Sequence, residues 1–313
     1  MIVFGPVPSR RLGRSLGINN IPPKACSYSC VYCQVGPTKA QSIHPRTFYA
    51  PETILQAVTD RVDEARRSGE HIDYLTFVPD GEPTLDTRLG VTMDMLRPLG
   101  IPIAVISNAS LIWRPDVQLI LKRADWVSLK VDTVDEAVWQ HMNRPHRELR
   151  LSEILDGMLS FSSSYQGILT SETMLVDGIN LEERGIRELA EFLHQLAPQV
   201  AYLAIPTRPP AVRGTHAPDE AQLNRVYQIL SRRVGQVEYL TGYEGNAFST
   251  TGDAAEDVLS ITAVHPMREE AVRELLSKTG NDWRLVEGLI EEGKLRECEY
   301  EGRKFFVRSF QRS

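Results

Sequence analysis

The sequence predicts an α/β fold built on a parallel sheet, and three features of its patterning carry that expectation. Six short apolar or β-branched runs recur within the first 206 residues. They are near-continuous rather than alternating, as strands buried on both faces are. Amphipathic stretches of helical length lie between them, and strand–helix alternation of this kind suits parallel pairing. The sheet could close as a barrel or lie open and doubly wound; the pattern is compatible with both.

In chain order the predicted strands are "SLGINNI" (15–21), "YLTFVP" (74–79), "IPIAVIS" (101–107), "WVSLKVD" (126–132), "ILTSETMLV" (168–176) and "VAYLAIP" (200–206). Helices are expected near 51–68, 114–123, 151–162, 182–196 and 218–233, with Ser152 and Asp219 as cap-like residues. These elements form a first domain over residues 1–241. Residues 242–257, rich in Gly, Ser, Thr and acidic side chains, read as a linker. The remainder, 258–313, reads as a separate unit. "REEAVRELLSKTG" is a helix ending at Gly280, and "DWRLVEGLIEEGKL" is a second one with Asp282 as its cap. "RECEYEGRKFFVRSF" is a hairpin turning at Glu301–Gly302. Helix, helix and hairpin in this order predict a winged helix-turn-helix module.

Hydrophobic content of 42% and charged content of 24% are ordinary for a folded protein. No stretch approaches the roughly 18 apolar residues of a membrane span, and "MIVFGPVPSRRLGRSLG" lacks the apolar core of a secretory signal. A cytoplasmic location without membrane attachment is therefore expected. Four cysteines there do not suggest a disulfide scaffold. A net charge of −6 argues against whole-surface affinity for nucleic acid, leaving room for a local basic patch.

Three of the four cysteines, Cys26, Cys30 and Cys33, fall in "KACSYSCVYCQ". Structural zinc usually takes four ligands, often as two Cys-x2-Cys pairs. Here Cys26 is extra, no second pair exists, and Cys298 lies in the other domain; His146 or another histidine could complete a zinc site. An iron–sulfur cubane normally takes four thiolates, so three leave one iron open to a ligand that is not protein. That iron could chelate adjacent amine and carboxylate groups of a small molecule and pass an electron into it.

The Cys26-x3-Cys30-x2-Cys33 spacing, with Tyr32 before the last cysteine, resembles the signature loop of the radical S-adenosylmethionine (radical SAM) enzymes. The resemblance implies a partial (β/α)6 barrel of the TIM type, a 4Fe-4S cluster on the three cysteines and S-adenosylmethionine on the open iron. It also implies reductive cleavage of S-adenosylmethionine to a 5′-deoxyadenosyl radical that abstracts a hydrogen atom from a substrate. Flavodoxin or ferredoxin would be the reductant. "FVPDGEPTLD" resembles that family's GGE(P) motif, which places Asp80, Gly81, Glu82 and Pro83 on the methionine moiety; taken alone it reads as a turn, and its place after the strand that follows the cysteine loop favours the motif. By the same resemblance Tyr32 packs near the adenine and Ser107 and Asn108 contact the cofactor; Ser128 is a further cofactor candidate from its place in the run "WVSLKVD".

Ser128, Lys130 and Asp132 alternate within an apolar run, so they share one strand face, either a wet interior or an outward ion pair. "NRPH" and "TRPP" offer Asn143, Arg144, His146 and Arg208, as anion or proton handlers or as loop-fixing residues. Arg10, Arg11 and Arg14 form either an exposed arm or a basic lip. Lys130, His146 and Arg208 are the candidate catalytic residues.

Across most of residues 5–215 the chain is also similar to uncharacterised bacterial and archaeal radical enzymes related to the tRNA wyosine synthases. It lacks the extra cysteines of their second cluster, and only Lys130 is a candidate for their Schiff-base lysine. The resemblance makes an RNA base, as in tRNA, the first substrate class. A peptide or protein, including a glycyl-radical enzyme, is the alternative, and a DNA-binding iron–sulfur or zinc regulator the second. Residues 264–313 carry ten Lys/Arg and ten Asp/Glu, which weighs against DNA, although Arg303, Lys304, Arg308 and Arg312 make the hairpin locally basic.

Overall fold

All six expected runs form strands, each somewhat shorter than its apolar stretch, because pairing stops where the chain turns toward the next helix. The computed structural model describes residues 2–240, 253–264, 266–300 and 302–309. The first part contains β1 (Val3–Ser9), β2 (Gly13–Ile18), α1 (Pro51–Arg67), β3 (Tyr74–Phe77), α2 (Leu89–Leu96), β4 (Ile103–Ser107), α3 (Pro115–Leu121) and β5 (Trp126–Lys130). It continues with α4 (Glu136–Asn143), α5 (Leu151–Ser162), β6 (Ile168–Met174), α6 (Glu183–Leu196), β7 (Val200–Ala204), α7 (Glu220–Leu230) and β8 (Val237–Leu240). The strands lie in sequential order in one eight-stranded sheet, with β1 antiparallel to β2 and every later pair parallel. The sheet curls into a half-barrel.

The two sheet faces have different jobs. Leu75, Phe77, Val105, Val127, Leu129 and Leu203 are fully buried toward the helical layer, where Ile54, Val58, Met93 and Phe161 meet them. The inner face instead gathers Ala104, Trp126 and Tyr202 around Leu12, from the turn between β1 and β2. That turn packs into the base of the barrel.

Four elements of this part were not expected: β1, α2, α4 and β8. Ser152 does not cap α5; the helix begins at Leu151 with Arg150 at the cap position and no side-chain cap bond. Asp219 caps α7 in a reciprocal pair with Gln222.

The C-terminal part contains α8 (Ala254–Val264), β9 (Met267–Arg268), α9 (Glu269–Lys278), α10 (Arg284–Glu291), β10 (Leu295–Tyr300) and β11 (Arg303–Arg308). Residues 254–257, expected in the linker, open α8 instead; Ala254 and Val258 are drawn into the same core as Leu275, Val286, Leu295 and Phe306. Residues 242–252 of that linker, and Glu301 at the expected turn, lie outside the described residues. The three strands order as β10–β11–β9. Val7 of β1 packs on this core, and the Tyr300 hydroxyl donates to the Pro206 carbonyl at 3.3 Å, so the unit is seated against the barrel. Among the described residues no helix is long and apolar enough to cross a membrane.

Candidate active site

The cysteine loop follows β2 and is pinned on both flanks. On one side, Lys24 N donates to Asp80 O at 2.8 Å and Glu82 N to Ala25 O at 2.9 Å, which ties the loop to the turn after β3. On the other, Val31 N donates to Met142 O, Ser29 N to Asn143 O and His146 N to Ser27 O. A loop held by main chain on two sides presents its side chains in a fixed arrangement.

Cys26, Cys30 and Cys33 are free thiols lining one cavity of about 320 Å³ at the strand ends. Each sulfur has its own nitrogen donor at 3.5 Å: Asn108 Nδ2 to Cys26, Asn143 Nδ2 to Cys30 and Lys24 Nζ to Cys33. Such donors favour the thiolate that a metal requires. Burial works the other way and pushes the Cys30 thiol up to about 12 and Cys26 further, so without metal both hold their protons. A metal would have to displace those protons to bind. Among the described residues no three His, Cys, Asp or Glu side chains converge to hold a single metal ion. A cubane asks for less convergence, one thiolate on each iron.

Of the "DGEP" residues, only Asp80 and Gly81 line the cavity. Glu82 is fully buried beneath it and works as a hub. Its Oε1 accepts from Thr84 N, Thr84 Oγ1 and Ser107 Oγ, and its Oε2 accepts from Asn108 N at 2.7 Å. Glu82, Pro83 and Ser107, expected on the cofactor, do not line the cavity. The Glu82 carboxylate and the Ser107 hydroxyl join the ends of β3 and β4, which leaves the Asn108 side chain facing the cavity. Ser128 is also buried off the cavity.

Asp80 is 5% exposed, and burial raises its carboxyl to about 7 against the opposing charges of Lys24 and Arg308. The folded protein thus holds a proton that the unfolded chain releases near 3.8, and stability falls as pH rises from about 4 to about 7. Asp80→Asn, neutral throughout, is expected to raise the thermal midpoint more at pH 8 than at pH 5. Equal gains at both pH values would overturn this assignment.

Tyr32 lines the cavity with its hydroxyl anchored on Asp132 Oδ2; Asn143 Nδ2 donates to both that hydroxyl, at 3.1 Å, and that carboxylate, at 2.7 Å. Lys130 Nζ sits 5.0 Å from the Tyr32 ring centroid, 2.7 Å from Glu172 Oε1 and 3.7 Å from Asp132 Oδ1. Glu172 also accepts from Arg11 at 2.5 Å. These charges hold Glu172 down at about 2 and Lys130 above its ordinary value despite burial. Lys130 is thereby held as an ammonium in the cavity wall. It does pair with Asp132, but inside the barrel rather than outward.

The Glu172 contribution is complete above about pH 4.5 and is lost as pH falls through about 2. Glu172→Gln leaves two cations without their shared anion. It is expected to cost about 3 kcal/mol at pH 7, read by denaturant unfolding, with the loss shrinking toward pH 2.

Arg208, after β7, lines the cavity and donates to Gln34 Oε1 at 2.8 Å. His146 does not line it; it sits on the loop after α4 with its Nδ1 accepting from Glu148 N, the loop-fixing alternative. Arg144 is exposed in a left-handed turn. The arginine trio is split: Arg10 is exposed, Arg11 reaches the cavity from the turn at the base, and Arg14 pairs with Glu70 near the start of β3. Lys24 and Glu172 are the site residues that sequence reasoning missed. A signal existed for Glu172, a charge in an apolar run at the same inward period as Thr170 and Met174.

Comparison with known proteins places this geometry. The model of the Radical SAM superfamily matches residues 20–192. A UPF0026 protein of Methanocaldococcus jannaschii is 47% identical over 98% of this chain and 96% of its own length. One from Helicobacter pylori is 36% identical over 62% of this chain and 63% of its own. Among solved structures, TYW1 with a lysine–pyruvate adduct bound is similar at TM-score 0.56 and 15% identity, over 71% of this chain and 74% of that one. A radical SAM methyltransferase from Sphaerobacter thermophilus gives TM-score 0.54 and 19% identity, over 75% and 69%. At these identities the two structures share the fold.

Proposed function

The chain belongs to the radical SAM superfamily, and we propose that it abstracts a hydrogen atom from a substrate admitted to the cavity beside Cys26, Cys30 and Cys33. Enzymes of this superfamily use a 4Fe-4S cluster and S-adenosylmethionine, and this chain is one of them. The observation that carries the reading is the donor set: three thiols on one loop, each with a nitrogen donor, at the rim of a cavity where the strands end.

Cys26, Cys30 and Cys33 would hold the cluster. When bound, the cluster supplies the electron that cleaves S-adenosylmethionine and so generates the radical. The chain's own residues do the rest. The Asp80–Gly81 main chain and Asn108 offer polar groups beside Cys26, fixed from below by Glu82. Tyr32, immobilised by Asp132 and Asn143, offers a ring face. Lys130, Arg11 and Glu172 wall the interior with fixed charges, and Arg208 guards the mouth as an anion-binding candidate. A flavodoxin- or ferredoxin-like donor is the proposed reductant. Residues 254–313 are proposed as a winged-helix module, starting four residues earlier than the sequence suggested, with the barrel over 1–241.

The test is electron paramagnetic resonance on anaerobically reconstituted, dithionite-reduced protein. A 4Fe-4S signal that shifts on adding S-adenosylmethionine is the expected result. A signal indifferent to it would overturn the reading in favour of an electron-transfer or sensing cluster.

A further inference from the structure

A second and larger cavity, about 930 Å³, opens between the C-terminal unit and the barrel mouth. Lys24, Gln34 and Val35 line both it and the cavity over the cysteines, so the two spaces meet at that lip. Five described residues facing it carry permanent positive charge: Lys24, Lys39, Arg213, Arg296 and Arg308. Two carboxylates oppose them, Glu297 and Glu299, and Glu297 is already paired with Lys304 at 3.1 Å. In a chain of net charge −6 this is a local cationic groove.

Its second property is geometric. Residues 296–300, five consecutive positions of β10, all line the groove. Val307 and Arg308 of the neighbouring strand β11, and Ser309 just after it, line it as well, so the groove covers part of the sheet's face. Because side chains of a strand alternate between faces, the run of consecutive β10 positions also brings that strand's edge, with its main-chain N–H and C=O groups, into the groove. β10 is the end strand of its sheet, and among the described residues no strand pairs with its outer side. A strand edge is complementary to an extended polypeptide, which brings amides of its own. It is poorly matched to a nucleic acid, whose backbone brings none. Single-stranded nucleic acid also wants stacking platforms, and the aromatic rings among the described lining residues are Tyr300, whose hydroxyl is engaged by Pro206, and the small imidazole of His216.

We propose that this groove seats an extended acidic segment of a polypeptide substrate. The segment adds as a strand to β10 and presents the residue to be modified past Lys24 and Gln34 into the cavity over the cysteines. The proposal rests on reading that cavity as the site of the radical reaction. Cations spaced along the groove select the acidic sequence, and the strand edge supplies affinity independent of side chains.

The experiment is a selection of random displayed peptides of roughly 12 residues, long enough to span a strand and its flanks, on the full chain. The most enriched peptide is then synthesised and its binding followed by fluorescence anisotropy. Enrichment in Asp and Glu is expected. Binding should weaken by about tenfold or more in the Lys39→Glu, Arg296→Glu double variant. It should likewise fail when alternate peptide amides are N-methylated. Selection without acidic bias, or binding indifferent to charge reversal or to N-methylation, would overturn the proposal, as would displacement of the peptide by oligouridylate at matched salt. Circular dichroism confirms that the variant folds. Cleavage of S-adenosylmethionine by the reduced protein without peptide is measured separately and should be unchanged in the variant. Its absence in the wild type would remove the cavity reading while leaving the binding result to stand.

Discussion

Replacing Cys30 with alanine is expected to lower cleavage of S-adenosylmethionine by about three orders of magnitude or more and to abolish the reconstituted 4Fe-4S signal. The chain offers three thiols to the cluster and holds no spare nearby, since Cys298 sits in the C-terminal hairpin, half-buried beside the Phe305 carbonyl. The fold should survive. Asn143 loses its sulfur partner but keeps Tyr32 and Asp132, and a Cys→Ala truncation removes a single atom from a partly exposed position. Stability should therefore drop by no more than about 1 kcal/mol, and circular dichroism should match the wild type. Cys298→Ala is the companion variant, expected to retain iron, signal and cleavage in full. If Cys30→Ala kept a signal that still shifts with S-adenosylmethionine, or if Cys298→Ala lost it, the ligand assignment would be wrong.

The features legible in the sequence were those written locally. Three cysteines within eight positions, a turn after a strand, and apolar runs such as "IPIAVIS" each announce themselves in a short window. α2 and α4, of eight residues each, gave too few turns for a 3.6-residue period to stand out. β1 carries two prolines and holds a single neighbour, β2, at the edge of the sheet, which is where prolines are tolerated but hide the strand pattern. The charged wall was invisible for a different reason. Arg11 and Glu172 are 161 positions apart and meet only because the β1–β2 turn folds into the base of the barrel. The partner that Lys130 finds in Glu172, 42 positions away, was hidden in the same way. Conversely, Ser107 and Glu82 looked like ligands because they stand at strand ends, yet their first obligation there is to satisfy each other while buried.

Gly81→Ala is expected to be the most damaging substitution outside the cysteines, and the reason is proximity rather than dihedral freedom. A β-carbon at this position would stand 2.0 Å from the Ala25 carbonyl oxygen and 2.8 Å from its carbon. Those atoms are backbone, so no rotamer change relieves the clash. Ala25 is adjacent to Cys26, and its carbonyl accepts from Glu82 N; one residue back, Lys24 N donates to Asp80 O. Pushing the two segments apart therefore breaks the main-chain stitches that hold the cysteine loop on the β3 turn, and it drags the buried Glu82 hub with it. Overpacking of this kind costs about 3 kcal/mol, and a displacement near 1 Å of the groups that position reactants costs about a hundredfold in rate. Gly185→Ala, on α6 with nothing within 4 Å of the added carbon, is the control. It should gain up to about 1 kcal/mol from helix propensity and leave cleavage unchanged. Denaturant unfolding of both variants, with iron content and cleavage rate on the same preparations, separates the outcomes. A Gly81→Ala protein as stable and as active as Gly185→Ala would mean that the turn and the cysteine loop are not held at this contact, and the positioning role given to Glu82 would fall with it.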